Sequence, residues 1–273
     1  MKKTVKIIAL MLAAVMLAAL VPAVSASEGS LVALGDSIAA GTGVYNANKA
    51  CYARIVADSI GYSYANFAKN GDRSQDLLAK LSRDDVASAV ADADIILMSI
   101  GGNDYLQQNL PVLLSDYNNG DYHHLDNIEA NLKNNFADII ARIKSLNPDV
   151  LLVVQTLYNP RTDALREFYG EGVKRVNRVI TGYLAENPGA FELVDIESVI
   201  GNNAAYIAVD TIHPNAVGHR LIAQAIVEYL NSIGFTSSTG AQQNSIGIDE
   251  IPFISYIIQF FRMVADFIAR VFG

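Results

Sequence analysis

The sequence predicts an α/β protein in which a parallel β-sheet is covered by helices on both faces. Five short apolar runs alternate with longer segments of helical periodicity. The runs 95–100 and 150–155 are apolar almost throughout, which is typical of strands buried on both faces. A chain that repeats strand, helix, strand builds parallel strands joined by crossover helices. The predicted strands are 31–34, 62–68, 95–100, 150–155 and 191–194.

Helices are predicted between these strands and after the last one. Asp126 is placed to cap one of them, and Asn147–Pro148 ends the same helix. Glutamine, asparagine and glycine interrupt the pattern over 106–125, so we expect an irregular loop there with a short helix near 112–114. An insertion after a strand end is typical of a substrate-facing loop. The predicted helices are 52–60, 74–91, 126–146, 163–185 and 214–230.

The first 26 residues have the pattern of a secretory signal. Three lysines precede an apolar run over 7–21, and the small residues of 23–26 follow it. We expect cleavage after Ala26, with an uncleaved N-terminal anchor as the alternative. Either outcome predicts a secreted or cell-surface protein.

Charge and cysteine content narrow the class of protein further. The chain of 273 residues carries a net charge of −8, and loss of the three lysines of the signal leaves about −11. An acidic exported protein is a poor binder of nucleic acid, so no nucleic-acid partner is expected. The single cysteine, Cys51, forms no internal disulfide and is expected to be a small buried side chain.

The C-terminal part of the chain reads as a linker followed by an apolar amphipathic helix. Residues 233–248 have linker composition, and 249–273 form the predicted helix. Polar residues within 251–272 recur every three or four positions and make one narrow stripe. Arg262 near the middle argues against a membrane span. The apolar face is expected to pack on the α/β domain or a second copy, or to contact a membrane surface. The α/β domain itself is expected over 30–232.

Ser37 is the candidate nucleophile, because it follows the strand 31–34 at the edge where parallel sheets place their chemistry. A serine hydroxyl needs a base and a group that orients the base. His213 follows Asp210 by three positions, so the carboxylate can accept from one ring nitrogen while the other faces outward. The other histidines are expected to be solvated loop residues, at 123 and 124, and a surface or groove residue, at 219.

Two further strand ends offer donors for an oxyanion. Gly71 follows the second predicted strand and lets a backbone N–H approach a ligand closely. Asn103 follows the third and carries an amide NH2. Asp36 and Asp104 lie beside these groups and are expected to hold the two loops by hydrogen bonds.

Four blocks in this order resemble the signature of the GDSL, or SGNH, hydrolase superfamily. They are Gly35-Asp36-Ser37, the glycine at 71, Gly101-Gly102-Asn103-Asp104, and Asp210-x-x-His213. The resemblance implies a flavodoxin-like three-layer α/β/α sandwich with a five-stranded parallel sheet. It also implies that Ser37 is the nucleophile, His213 the general base and Asp210 its orienting group. The implied oxyanion hole is the N–H of Ser37, the N–H of Gly71 and the side chain of Asn103.

The resulting functional prediction is an exported serine ester hydrolase that works through an acyl-serine intermediate. A carbohydrate O-deacetylase of the same fold is the alternative, and a non-catalytic module that binds cell-surface glycan is a third. The expected substrate is a small-molecule, lipid or acetylated-glycan ester. The sequence has no P-loop, no dinucleotide fingerprint and no spaced His/Cys ligand set, so neither a cofactor nor a metal is expected.

Overall fold

The computed structural model describes residues 29–235, which form a sheet of five parallel strands with helices on both faces. The strand order is β2-β1-β3-β4-β5, and Leu31 pairs with Ile95 while Val32 pairs with Ala65. This is the doubly wound order, in which the strand sequence reverses direction at the β1–β3 pair. The strands are β1 (Ser30–Gly35), β2 (Ser63–Asn66), β3 (Ile95–Ser99), β4 (Leu151–Gln155) and β5 (Glu192–Val194).

Eleven α-helices and one 3₁₀ turn, Ala204–Tyr206, accompany these strands within residues 29–235. The helices are α1 (Ser37–Ala40), α2 (Ala47–Ala50), α3 (Tyr52–Ile60), α4 (Ser74–Lys80), α5 (Asp84–Ala91), α6 (Gly102–Leu106), α7 (Leu110–Asn118), α8 (His123–Leu146), α9 (Arg166–Glu186), α10 (Ile196–Ile200) and α11 (Ala216–Ser232).

Alternate residues of the central strands enter two separate cores, one on each face of the sheet. Val32 and Ile96 pack in the core that includes residues of α4, α5, α8 and α9. Leu31 and Ile95, their chain neighbours, pack in the core that includes residues of α3, α10 and α11. Strands whose two faces are both buried are mostly apolar on both faces, which explains the nearly continuous apolar runs of β1, β3 and β4. The structure therefore confirms the three-layer sandwich with five parallel strands.

Four local expectations need correction. The segment 74–91 forms two helices, because the chain turns at 81–83 and a new helix begins at Asp84. The irregular region 106–125 contains α7, which is longer than the short helix expected near 112–114. Helix α8 begins at His123, so Asp126 lies in its first turn instead of capping it, and its Oδ1 pairs with Arg175 Nη1 at 2.6 Å. His219 is fully buried and not a surface residue.

Within residues 29–235 no helix is both long enough and apolar enough to cross a membrane. The signal over 1–26, the linker beyond residue 235 and the C-terminal helix 249–273 lie outside the described residues, so the domain boundaries stay predictions.

Candidate active site

Ser37 lies at the first turn after β1, where the strand order reverses. Gly35 ends β1 with φ of +126°, and a Cβ there would lie 1.9 Å from the carbonyl oxygen of Ser99. Only glycine lets the end of β1 approach β3 this closely. The N–H of Asp36 then donates to that same carbonyl oxygen at 3.0 Å. The turn that carries Ser37 is therefore fixed to the neighbouring strand by the backbone itself.

The structure places Ser37, His213 and Asp210 in one hydrogen-bonded chain. Ser37 Oγ lies 2.8 Å from His213 Nε2, and His213 Nδ1 lies 2.7 Å from Asp210 Oδ2. The other carboxylate oxygen, Oδ1, accepts from the N–H groups of Ile212 and His213, both at 3.0 Å. Burial raises the pKa of Asp210, but the hydrogen bonds from His213 outweigh burial and keep this pKa below its ordinary value. Asp210 is therefore a carboxylate that accepts from Nδ1–H, which leaves Nε2 as the acceptor for the Ser37 hydroxyl.

Two side chains from the segment after β4 hold the turn that joins Asp210 to His213. Thr211 adopts φ of +63°, an uncommon conformation for a β-branched residue. Arg161 Nη1 donates to Thr211 Oγ1 at 2.6 Å, and Tyr158 OH donates to the carbonyl oxygen of Ile212 at 2.9 Å. Neither Tyr158 nor Arg161 belongs to a recognisable motif, and sequence reasoning missed both.

Three groups near the nucleophile have N–H donors that are still available. The backbone N–H groups of Ser37 and Gly71 have no acceptor among residues 29–235. Asn103 Nδ2 donates one N–H to the carbonyl oxygen of Asp72 at 3.1 Å, so its second N–H is left for another acceptor. Gly71 adopts φ of +84°, which favours glycine at this position. The predicted donors thus follow β1, β2 and β3: Ser37 begins α1, Gly71 lies in a loop, and Asn103 is in the first turn of α6.

A buried ion pair anchors the loop that contains Gly71. Lys80 Nζ from the end of α4 pairs with Asp72, and less than a tenth of either side chain is exposed. On the other side of the loop, Thr42 Oγ1 donates to Asn70 Oδ1 at 2.7 Å, which ties the loop to the segment that follows Ser37. The candidate oxyanion loop and the nucleophile turn are therefore joined directly.

Asp36 and Asp104 hold their loops by hydrogen bonds, as predicted. Asp36 Oδ1 accepts from the N–H of Ile38 at 3.0 Å and caps α1. Burial raises the pKa of Asp36 to about 7, although the Ile38 N–H and the charge of His213 act against this rise. The Asp104 carboxylate accepts from Ser74 N at 2.9 Å and Ser74 Oγ at 2.5 Å, which joins α6 to the start of α4. Burial also raises the pKa of Asp104, and Ser74 partly offsets it.

The other three histidines have structural partners of their own. His219 Nδ1 accepts from the N–H of Tyr52 at 3.3 Å, and Nε2 donates to the carbonyl oxygen of Thr42 at 3.1 Å. Burial lowers the pKa of His219 to about 4, so this residue is a neutral packing side chain. His123 and His124 are exposed as expected, but they begin α8 and each lies against an aspartate. Among the residues described, these two and Asp116 are the one group with the spacing of metal ligands.

An apolar cavity of about 90 Å³ is lined by residues that adjoin Ser37 and His213 in the chain. Its lining includes Ile38, the residue after Ser37, and Ile212, the residue before His213. Helices α6, α7, α8 and α9 supply most of the remaining wall, and none of the lining side chains carries a charge. Other lining residues are Leu106, Leu113, Leu125, Leu157 and Phe168. The cavity can receive an apolar group that is attached to a carbonyl carbon at Ser37.

Comparisons with known proteins agree with this fold. The chain is 26% identical over 212 residues to an acetylxylan esterase from Geobacillus stearothermophilus, which covers 76% of this chain and 85% of that protein. It is 25% identical over 213 residues to the spore germination lipase LipC from Bacillus licheniformis, with 74% and 95% covered. The crystal structure of the lipase Lip_vut3 from a goat rumen metagenome superposes with a TM-score of 0.61 at 22% identity, covering 76% of this chain and 98% of that one.

The match to a protein family identifies the class of this chain more specifically than the similarity to individual relatives does. Residues 33–221, well over half of the chain, match the GDSL-like Lipase/Acylhydrolase family. The matched segment begins within β1 and ends within α11, so it contains the nucleophile turn, both candidate oxyanion loops and the Asp210–His213 turn. The chain therefore belongs to the GDSL-like lipase/acylhydrolase family of ester hydrolases.

Proposed function

We propose that the protein is a serine ester hydrolase in which Ser37 forms an acyl-enzyme. The observation that supports this most strongly is the hydrogen-bonded chain from Ser37 Oγ through His213 to Asp210. A serine hydroxyl is a weak nucleophile until a base accepts its proton, and His213 Nε2 lies at hydrogen-bonding distance to do so. Asp210 keeps the ring in the tautomer that this step needs and stabilises the imidazolium that results.

The reaction proceeds in two acyl transfers. Ser37 Oγ attacks the ester carbonyl carbon while His213 takes the hydroxyl proton, and the oxyanion accepts from the N–H groups of Ser37 and Gly71 and the free N–H of Asn103. Collapse of this intermediate breaks the bond to the alcohol oxygen, which leaves with the proton from His213. Water then attacks the acyl-serine with His213 again as base, and the products are a carboxylic acid and free Ser37.

Labelling with a fluorophosphonate tests the nucleophile directly. The probe reacts with an activated serine, so it should label the wild-type chain but not Ser37→Ala. Ser145→Ala removes an exposed hydroxyl on α8 and serves as the matched control, which should be labelled normally. Labelling that persists in Ser37→Ala would rule out Ser37 as the nucleophile, and an unlabelled wild type would favour the glycan-binding alternative.

We further propose that the preferred acyl group is an apolar chain longer than acetyl. A volume of roughly 10–15 Å³ on the same kind of measure holds one water molecule, so the cavity of about 90 Å³ accommodates several heavy atoms. The complete absence of charge from its lining favours hydrocarbon over a sugar. Hydrolysis of p-nitrophenyl acetate, butyrate and octanoate should therefore show a higher kcat/KM for the longer esters.

Two glycines of α9 offer a matched test of where the acyl chain binds. Gly172 lines the cavity, and a Cβ there would meet nothing closer than 3.9 Å, so Gly172→Leu should fill the cavity without straining the backbone. Gly182 faces open space on the same helix, so Gly182→Leu changes the helix in the same way but leaves the cavity unchanged. Only Gly172→Leu should lower the octanoate-to-acetate ratio of kcat/KM. A ratio that is equal in both variants would place the acyl chain elsewhere.

The similarity to the Geobacillus stearothermophilus acetylxylan esterase favours a second candidate, a carbohydrate O-deacetylase. This activity needs room only for an acetyl methyl group, so Gly172→Leu should leave it unchanged. Two results together would favour the deacetylase. Acetate release from acetylated xylan would be faster than hydrolysis of every longer ester, and Gly172→Leu would not change it.

Export and membrane contact also belong to this proposal. Residues 1–26 are proposed to direct the chain out of the cytoplasm, which N-terminal sequencing of the exported protein tests, with Ser27 as the expected first residue. Residues 251–272 are proposed to contact a membrane surface. Co-sedimentation of the mature chain with liposomes, and its loss on deletion of 246–273, would support this contact. A full-length mature chain that stays in the supernatant would argue against it.

A further inference from the structure

A compact group of imidazole and carboxylate ligands lies where α7 passes into α8, outside the Ser37–His213 pair. Asp116 is in the last turn of α7, and His123 and His124 begin α8. One ring nitrogen of each histidine and one carboxylate oxygen of Asp116 all lie within 4.8 Å of one another. The two imidazole rings are 3.7 Å apart between centroids, and His124 Nδ1 lies 2.6 Å from Asp116 Oδ2.

We propose that Asp116, His123 and His124 bind one zinc ion or a similar divalent transition metal. Two imidazoles and one carboxylate are donors that zinc prefers, and three protein ligands leave a fourth position for water. Ligand atoms about 2 Å from one zinc ion lie at most about 4 Å apart, so a shift of roughly 1 Å in the two exposed histidine side chains closes the site. The site departs from the sequence expectation that no metal binds.

Asp121 contacts His123 but is not one of the proposed ligands. Its Oδ1 lies 2.7 Å from His123 Nδ1 and also accepts from the N–H of His123 at 3.1 Å. A carboxylate that accepts from one ring nitrogen fixes the orientation of the imidazole and leaves the other nitrogen for the metal. Asp121 is therefore a positioning residue of this site and not a ligand.

The metal would join two helices that form one wall of the apolar cavity. Leu113 of α7 and Leu125 of α8 both line the cavity, and each lies within three residues of a proposed ligand. An ion shared by the two helices restricts their separation, so metal binding should stabilise the chain and this wall together.

Calorimetric titration with ZnCl2 tests the site on the chain purified without a histidine tag. We expect one zinc ion per wild-type chain and no high-affinity binding in the double variant His123→Ala/His124→Ala. Asp121→Ala removes the outer carboxylate and should weaken affinity by about 10- to 100-fold, the usual loss when an outer partner is removed. Glu186→Gln removes an exposed carboxylate at the end of α9 and should bind zinc like the wild type. Circular dichroism should be the same for all these variants, because the substituted side chains are exposed.

A thermal shift provides a second readout that does not depend on turnover. Saturating ZnCl2 should raise the Tm of the wild type and of Glu186→Gln, but not that of the double variant. MgCl2 should leave the Tm of all three proteins unchanged, because magnesium prefers oxygen ligands. Zinc binding that survives in the double variant and is lost in His213→Ala would assign the ion to the Ser37 site and overturn the proposal. Failure to bind zinc at 100-fold excess would also overturn it.

Discussion

The buried carboxyl of Asp36 provides the sharpest test of how the nucleophile turn is built. The residue lies directly before Ser37, is 2% exposed, and caps α1 through its Oδ1. Burial raises its pKa from an ordinary value of 3.8 to about 7. The substitution Asp36→Asn removes the charge but keeps a side-chain oxygen that can accept from the Ile38 N–H, so it isolates the effect of the charge.

The size of this effect follows from the two pKa values. In the folded protein Asp36 keeps its proton up to about pH 7, whereas the unfolded chain releases it near pH 3.8. Between these values the folded state binds more protons, so the free energy of unfolding falls as pH rises through this window and is constant above it. A difference of about three pKa units corresponds to about 4 kcal/mol. Asp36→Asn does not ionise and so does not lose this free energy of unfolding. At pH 8 we therefore expect it to be more stable than the wild type by up to about 4 kcal/mol.

Urea unfolding of both proteins at pH 4.5 and pH 8 measures this difference. The advantage of Asp36→Asn should be small at pH 4.5 and should approach its full size at pH 8. Groups that do not interact with Asp36 titrate alike in both proteins and cancel in the comparison. A variant that is less stable than the wild type at pH 8, or an advantage that is equal at both pH values, would refute the reasoning.

The same substitution should act in the opposite direction on turnover. The ionised Asp36 carboxylate and a protonated His213 attract each other, and His213 becomes protonated during the proposed reaction. Asp36→Asn should therefore lower kcat at pH 8 while it raises the Tm. A residue that weakens the fold but favours the reaction is the pattern that functional sites commonly show.

Three further substitutions test the groups around the nucleophile. Asn103→Ala removes one oxyanion donor, so it should lower kcat by about 100- to 1000-fold with little change in KM. An unchanged kcat would exclude Asn103 from the oxyanion hole. Tyr158→Phe deletes the hydrogen bond to the carbonyl oxygen of Ile212, which contributes about 1 kcal/mol, so kcat should fall roughly fivefold while KM stays constant. A change in KM alone would contradict a positioning role. Lys80→Met leaves buried Asp72 unpaired and should reduce the free energy of unfolding by about 3–5 kcal/mol in urea, whereas a loss below 1 kcal/mol would contradict the anchoring role.

The strands were predictable because their environment leaves a direct trace in the sequence. A central strand buried on both faces is apolar at nearly every position, and the runs 95–100 and 150–155 meet that condition except at Ser99 and Gln155 near their carboxyl ends. The turn at 81–83 left a weaker trace that the prediction overlooked. Leu77 and Val86 are nine residues, or about two and a half helical turns, apart. One continuous helix would place them on opposite faces, whereas both enter the same core. The buried position of His219 was missed for another reason, because a lone histidine does not reveal which face of its helix is covered.

The candidate site was predictable only where its chemistry is local or carried by a family motif. Asp210 and His213 are three residues apart, so their contact follows from one turn. The contact of His213 with Ser37 spans 176 positions and follows from the parallel order of the strands together with the family resemblance. Lys80 and Arg161 act on backbone conformation from separate elements, and a single lysine or arginine at no fixed spacing does not indicate such a role.

Thr211 shows why the residues outside the motifs matter to the chemistry. The turn between Asp210 and His213 requires φ of +63° at this position, where a glycine would fit without strain. A threonine held there costs on the order of 1–3 kcal/mol, but its hydroxyl gives Arg161 an acceptor that a glycine lacks. Thr211 therefore lowers the local stability of the turn but adds a hydrogen bond to the segment after β4. Because Tyr158 holds the same turn through Ile212, the orientation of His213 toward Ser37 depends on contacts that no signature block contains.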